Sequence, residues 1–251
     1  MSLTGKVVLI TGASSGIGAD AARHLAKLGA KVSLVGRNQK RLNEVAEKII
    51  NDGSPTPLSI AADVTQESQR IVDETINHFG QLDVLINNAG IFISDSLDAF
   101  DINEYDRVMN INLRSVVCLT HLAVPHLEKT KGNIVNVSSD AGTLPYDVYL
   151  SYCISKAGIN HFTKCAAVGL ASKGIRVNAI NPGDIRTPIF ALAGVTDTEK
   201  YFEEATKNYL VGRVGEVSDT SAAIEYLVTQ SFINGILLPV DGGLTCSGPK
   251  H

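Results

Sequence analysis

Apolar runs of strand length, separated by segments of helical period, follow one another from end to end of the chain. KVVLIT (6–11), KVSLVG (31–36), PLSIAAD (57–63), LDVLINN (82–88), GNIVNVSS (132–139), GIRVNAINP (174–182) and GILLPVDGG (235–243) read as strands. Helices are predicted over 17–29, 40–52, 66–79, 103–128, 152–173 and 217–230. Strands that are apolar throughout, instead of alternating, belong in a parallel sheet buried on both faces. The intervening helices supply the cover, so the pattern predicts a doubly wound α/β fold. No linker rich in proline or serine divides the chain, which predicts one domain over 1–251. The least regular stretch, 184–212, is long for a connection and is predicted to be a substrate-binding loop.

Composition narrows the function classes. With 44% hydrophobic residues, 19% charged residues and a net charge of −4, the chain is an ordinary globular protein. Its charge offers no reason to bind nucleic acid or an anionic membrane. No apolar run is long enough to span a bilayer. The N-terminus goes straight into a strand without the features of a signal peptide, so a cytoplasmic location is expected. Cys118, Cys153, Cys165 and Cys246 form no CxxC pair and are expected to be free thiols. The histidines show no ligand spacing, so no metal is expected.

The first strand runs into a glycine-rich turn, Thr11-Gly12-Ala13-Ser14-Ser15-Gly16-Ile17-Gly18, and then into a helix. Glycines there permit a tight turn and close approach to a ligand. The helix behind them offers free N–H groups and the positive end of its dipole to a phosphate. In this βαβ setting Gly12, Ser14, Ser15, Gly16, Ile17 and Gly18 are candidates to bind a dinucleotide, and the fold is predicted to be of the Rossmann type. The second strand ends in Gly36-Arg37-Asn38 without an acid. An acid there would accept from a ribose 2′-OH and repel a 2′-phosphate, whereas a guanidinium grips the phosphate. Arg37, with Asn38 beside it, therefore predicts NADP(H) in preference to NAD(H).

Three tyrosines crowd the stretch SSDAGTLPYDVYLSYCISK, from Ser138 to Lys156. Residues four apart share a helix face. Of Tyr146, Tyr149 and Tyr152, only Tyr152 has a lysine at that spacing, Lys156. An ammonium favours the phenolate and is expected to lower the pKa of Tyr152, suiting it to exchange a proton with an alcohol or carbonyl oxygen. Ser139, at the end of the preceding strand, is placed to hydrogen-bond the same oxygen.

Together, the glycine loop, Asn87-Asn88-Ala89-Gly90, Ser139, Tyr152 with Lys156, and Asn181-Pro182-Gly183 resemble the short-chain dehydrogenase/reductase family in its 250-residue form, from Lys6 to Gly243. The resemblance implies roles. Tyr152 is the general acid of reduction, and Lys156 lowers its pKa and holds the nicotinamide ribose. Ser139 orients the substrate, and Asn112 supports a proton-relay water at the lysine. Asp63 and Val64 contact adenine, while Asn88 and Gly90 line the cofactor cleft. Pro182 and Gly183 form a turn, after which Ile185 and Thr187 touch the carboxamide. NADP-preferring members often carry a basic residue before the second glycine of the loop; here it is Ser15, so the preference rests on Arg37. Family members are usually tetramers or dimers built on the helices near 103–128 and 152–173, which implies a homo-tetramer or homo-dimer.

Tyr146 and Tyr149 are expected in the pocket wall or a subunit contact, with Leu144, Phe92, Ile93, Ile189, Phe190 and Leu192 adding apolar surface. Such a wall suits a hydrophobic small-molecule ketone, aldehyde or alcohol. Two alternatives stay open: reduction of a 3-oxoacyl thioester, and a non-catalytic NADP-binding sensor.

Overall fold

A computed structural model describes residues 2–247. Seven strands form one sheet, β1 (Val7–Thr11), β2 (Lys31–Gly36), β3 (Leu58–Ala61), β4 (Val84–Asn87), β5 (Asn133–Val137), β6 (Arg176–Pro182) and β7 (Leu237–Val240). They lie in the order β3-β2-β1-β4-β5-β6-β7, and every pairing is parallel. Helices α1 (Gly16–Lys27), α2 (Gln39–Asn51), α3 (Ser68–Phe79), α4 (Ile102–Met109), α5 (Ser115–Thr130), α6 (Leu150–Leu170), α7 (Ile189–Leu192), α8 (Thr198–Ala205), α9 (Val217–Thr229) and α10 (Leu244–Ser247) connect or follow them.

The unbroken hydrophobicity of the strands has the predicted cause. Val8 and Ile10 of β1 face a core shared with Leu25 of α1, Leu42 of α2 and Ile224 of α9. Val7 and Leu9, pointing the other way, join Ile71 of α3, Leu119 of α5 and Ala167 of α6. Successive side chains of a strand alternate faces, so a sheet covered on both sides is apolar on both; its buried polar residues, such as Asn136 and Asn178, are hydrogen-bonded.

Two predicted elements differ. The helix expected over 103–128 is α4 and α5 joined by a π turn at Asn110–Arg114. That turn buries Asn112, which bonds both polar groups of the Ile91 peptide, an arrangement no helical-period pattern records. The stretch 184–212 is not an irregular loop, because it contains α7, α8 and a 3-10 turn at Thr206–Asn208. Phe190, Phe202, Ala205, Tyr209, Val214 and Leu244 form a third small core there, which gives those helices something to pack against. β2 matches its predicted run, and the other strands are shorter than theirs.

The strand order reverses between β1 and β4. In doubly wound sheets the crevice beyond that point, at the carboxyl ends of the strands, is where ligands bind. Thr11 and Asn88 lock it: Thr11 Oγ1 accepts from the Asn88 and Ala89 amides, each at 3.0 Å, while Asn88 Nδ2 donates to Thr11 O at 2.9 Å.

Candidate active site

A cleft of about 1130 Å³ opens at this end of the sheet. Of the residues proposed from the sequence as catalytic or cofactor-binding, all but Gly18 and Asn112 line it. Gly18 stands behind the glycine turn, where a Cβ would lie 2.5 Å from Gly12 O. Gly12 has φ +66°, which a side chain would strain. Asn112 stands behind Ile91, accepting from its amide at 2.8 Å and donating to its carbonyl at 2.9 Å. It also donates to Ser155 Oγ at 3.1 Å. Of the expected apolar wall, Phe92, Ile189, Phe190 and Leu192 line the cleft, whereas Leu144 packs against the third core and Ile93 is not among the lining residues.

These surroundings fit a dinucleotide. Ser15 precedes α1 without capping it by its side chain, so the first turn keeps N–H groups for a phosphate. Arg37 is exposed on the rim. Asp63 lies near it, fixed by the Thr65 amide at 2.8 Å and hydroxyl at 2.7 Å. Burial pushes the Asp63 carboxyl up, but those two bonds and the Arg37 charge outweigh it and hold the pKa low.

Tyr152 lies in the first turn of α6, which begins earlier than predicted. Asp95 accepts from the Ser151 amide through both oxygens at 3.1 Å, and also from the Ser151 hydroxyl, holding the first turn of the helix from the segment that follows β4. Lys156 is buried and donates to Val137 O at 2.9 Å; its Nζ lies 5.4 Å from the Tyr152 ring centroid. Ser138 Oγ donates to the Lys156 carbonyl at 3.1 Å, tying the end of β5 to α6, and both Ser138 and Ser139 line the cleft.

One electrostatic expectation is reversed. The Tyr152 phenol is pushed up, not down: burial dominates, the Ser139 hydroxyl bonded to it pulls the other way, and Asp140, Cys153 and Asp184 add to the rise. Burial also lowers Lys156, to about 8.

The sequence did not single out two acids in the cleft, the buried Asp140 and the half-buried Asp184. Asp140 accepts from Ser139 Oγ at 2.7 Å and from the Tyr146 hydroxyl at 2.8 Å. Burial raises its pKa against those donors. Asp184 accepts from the Tyr201 hydroxyl at 2.9 Å, and its amide donates to the Tyr209 hydroxyl at 2.6 Å. Burial, then the Asp140 charge, pushes Asp184 to about 6. Their places, directly after Ser139 and after Pro182-Gly183, were the one available signal. The wall is thus less apolar than predicted, although the Phe92 ring packs tilted against Tyr149 at 4.5 Å and edge-on against Tyr152 at 5.0 Å between centroids. Among the described residues no cluster of His, Cys, Asp or Glu is arranged to hold a metal.

The family model for short chain dehydrogenases matches residues 6–197. The chain belongs to the short-chain dehydrogenase/reductase family. Its members are oxidoreductases that act on C–OH and C=O groups with a nicotinamide cofactor. The chain is 34% identical over 246 residues to the L-fucose dehydrogenase of Mus musculus, covering 96% of this chain and 88% of that one. It is also 34% identical over 252 residues to a 3-oxoacyl-acyl-carrier-protein reductase of Thermotoga maritima, covering 97% and 99%. A crystal structure of a short-chain dehydrogenase/reductase of unknown function from Caenorhabditis elegans, solved with cofactor, superposes with a TM-score of 0.94 at 33% identity, covering 97% and 96%. Among the described residues no helix is long and apolar enough to cross a membrane.

Proposed function

We propose that this chain is an NADP(H)-linked reductase of an apolar ketone or aldehyde, working as one domain with 184–212 covering the substrate. The observation that carries the reading is the convergence of Ser139, Tyr152 and Lys156 in one cleft beside an aromatic wall. When bound, the nicotinamide supplies the hydride that the carbonyl carbon receives. Tyr152 gives its proton to the carbonyl oxygen, and its raised pKa keeps that proton in place at neutral pH. The Lys156 ammonium stabilises the phenolate left behind. Ser139 orients the oxygen, and Asn112 acts by holding the Ile91 wall. In the cofactor site the first turn of α1 takes the pyrophosphate and Arg37 the 2′-phosphate. Asp63, Val64, Asn88 and Gly90 flank the adenine half and the ribose, and Ile185 and Thr187 the carboxamide.

The same chemistry serves a 3-oxoacyl thioester, a reading supported by the Thermotoga relative. Val117 on α5 and Ile154 and Val168 on α6 are exposed, which supports a homo-oligomer formed through those helices. Four free cysteines support a reducing, cytoplasmic setting.

The test is NADPH consumption against ketones, aldehydes, steroids and β-ketoacyl compounds, with NADH in parallel. Tyr152→Phe is expected to abolish turnover and keep NADPH binding. Undiminished turnover in that variant would sink the reading.

A further inference from the structure

Asp140 has no part in the chemistry above, yet its geometry bears on the serine beside it. The Ser139 hydroxyl donates to Asp140 Oδ1 at 2.7 Å and accepts from the Ala141 amide at 3.2 Å. That amide also donates to Asp140 Oδ1, at 2.8 Å. Oδ2 takes the Tyr146 hydroxyl at 2.8 Å. A serine hydroxyl has one hydrogen and two lone pairs. With the hydrogen on Asp140 and one lone pair on Ala141, Ser139 turns its remaining lone pair toward the Tyr152 hydroxyl, and a substrate oxygen seated between the two meets that lone pair. An alcohol has an O–H to place on it. A carbonyl oxygen has none.

We propose that Asp140 is a positioning residue that sets the hydrogen-bond polarity of Ser139, so that the ionised acid makes the loaded cleft favour the alcohol over the carbonyl and the neutral acid relaxes that preference. The inference rests on the reductase reading above. Oδ1 already receives two hydrogens, so a proton arriving on Asp140 goes to Oδ2, where Tyr146 becomes the acceptor. A neutral carboxyl oxygen is then left at Oδ1, roughly half as strong an acceptor. The Ser139 proton is released to turn toward a carbonyl. The preference acts on the bound complexes only, because a catalyst cannot move the overall equilibrium between ketone and alcohol.

The groups facing Asp140 come from every neighbouring element. Tyr146 lies in its own loop, Tyr152 and Cys153 on α6, Asp184 after β6, Tyr201 on α8, Tyr209 beyond it, and Asp241 after β7. Burial, with Asp241 adding, raises the pKa of Asp140, so its switch lies above the ordinary carboxylate range.

Complexes that cannot react isolate the effect. Acetophenone is bound to the NADP⁺-loaded protein and 1-phenylethanol to the NADPH-loaded protein, with dissociation constants measured by calorimetry from about pH 5 to about pH 9. In the wild type the ratio of ketone to alcohol dissociation constant is expected to rise about fivefold as Asp140 ionises. Asp140→Asn holds the low-pH ratio at every pH. Tyr146→Phe removes a donor to the carboxylate and moves the midpoint to higher pH. A ratio independent of pH in the wild type, or an Asp140→Asn variant that weakens both ligands in parallel, overturns the proposal. Absence of turnover across the whole panel together with no binding of either compound refutes the reductase reading, and this inference with it.

Discussion

Replacing Asn112 with alanine removes three hydrogen bonds, two to the Ile91 peptide and one to Ser155 Oγ. Ser155 keeps its bond to the Tyr152 carbonyl at 2.7 Å, so its loss is small. The Ile91 N–H and C=O have no other hydrogen-bond partner among the described residues and are part-buried. Leaving each unpaired costs about 1 kcal/mol, and the vacated amide volume adds about 1 kcal/mol more. The expected loss is about 3 kcal/mol, or a fall in Tm of about 6–12 °C for a chain of this length. Asn112→Asp sharpens the reasoning. Neutral aspartic acid retains an acceptor and one donor, whereas the carboxylate aims charge at the Ile91 carbonyl. Its folded pKa is therefore raised above the unfolded value near 4, and the folded state binds the extra proton. Stability then falls as pH rises from the unfolded pKa toward the folded one, by up to about 1.4 kcal/mol per pH unit. Urea unfolding at about pH 5 and about pH 8 checks both variants. A cost under about 1 kcal/mol for Asn112→Ala, or an Asn112→Asp deficit that ignores pH, would refute the account of Asn112 as the clamp on this wall.

Arg37→Ala is expected to weaken NADPH by about tenfold and leave NADH nearly unchanged, since one charge-assisted contact is removed; equal losses for both cofactors in fluorescence titrations would remove Arg37 as the selector. Lys156 titrates at about 8 in the buried site, below its usual value, so the ammonium is present below that pH and lost above it. NADPH affinity should therefore decline as pH rises through about 8, while Lys156→Met binds weakly with no such decline. Parallel pH profiles for the two proteins would contradict this.

Much of the site was legible because it lies on elements whose ends the chain marks locally. The glycine turn, Arg37 and Asn88 all follow strands of unbroken hydrophobicity, and that pattern puts them at one end of a parallel sheet. Tyr152 was separable from its neighbours by helical spacing alone, and α6 does carry it with Lys156. The start of α6 was not legible, because its first turn is held by Asp95, contributed by a segment 56 residues away. The helices within 184–212 were hidden for a related reason. They are too short to sustain a period and exist by packing Phe190, Phe202 and Tyr209 into a shared core.

The sequence by itself determined the layered parallel sheet and the position of the cleft, and it picked out the side chains proposed to react there. Each of those follows from patterns within one strand or one helix, where neighbours in the chain are neighbours in space. The tertiary structure alone decided the electrostatics. It raised Tyr152 where a nearby lysine promised the opposite, because burial outweighs the Ser139 hydrogen bond and two acids from different loops close on the same cleft. Asp140 arrives after β5 and Asp184 after β6, 44 positions apart in the numbering, and only the pairing of those strands brings them together. Desolvation depends on everything that surrounds a group, and that is a property of the folded assembly of strands, not of any one of them.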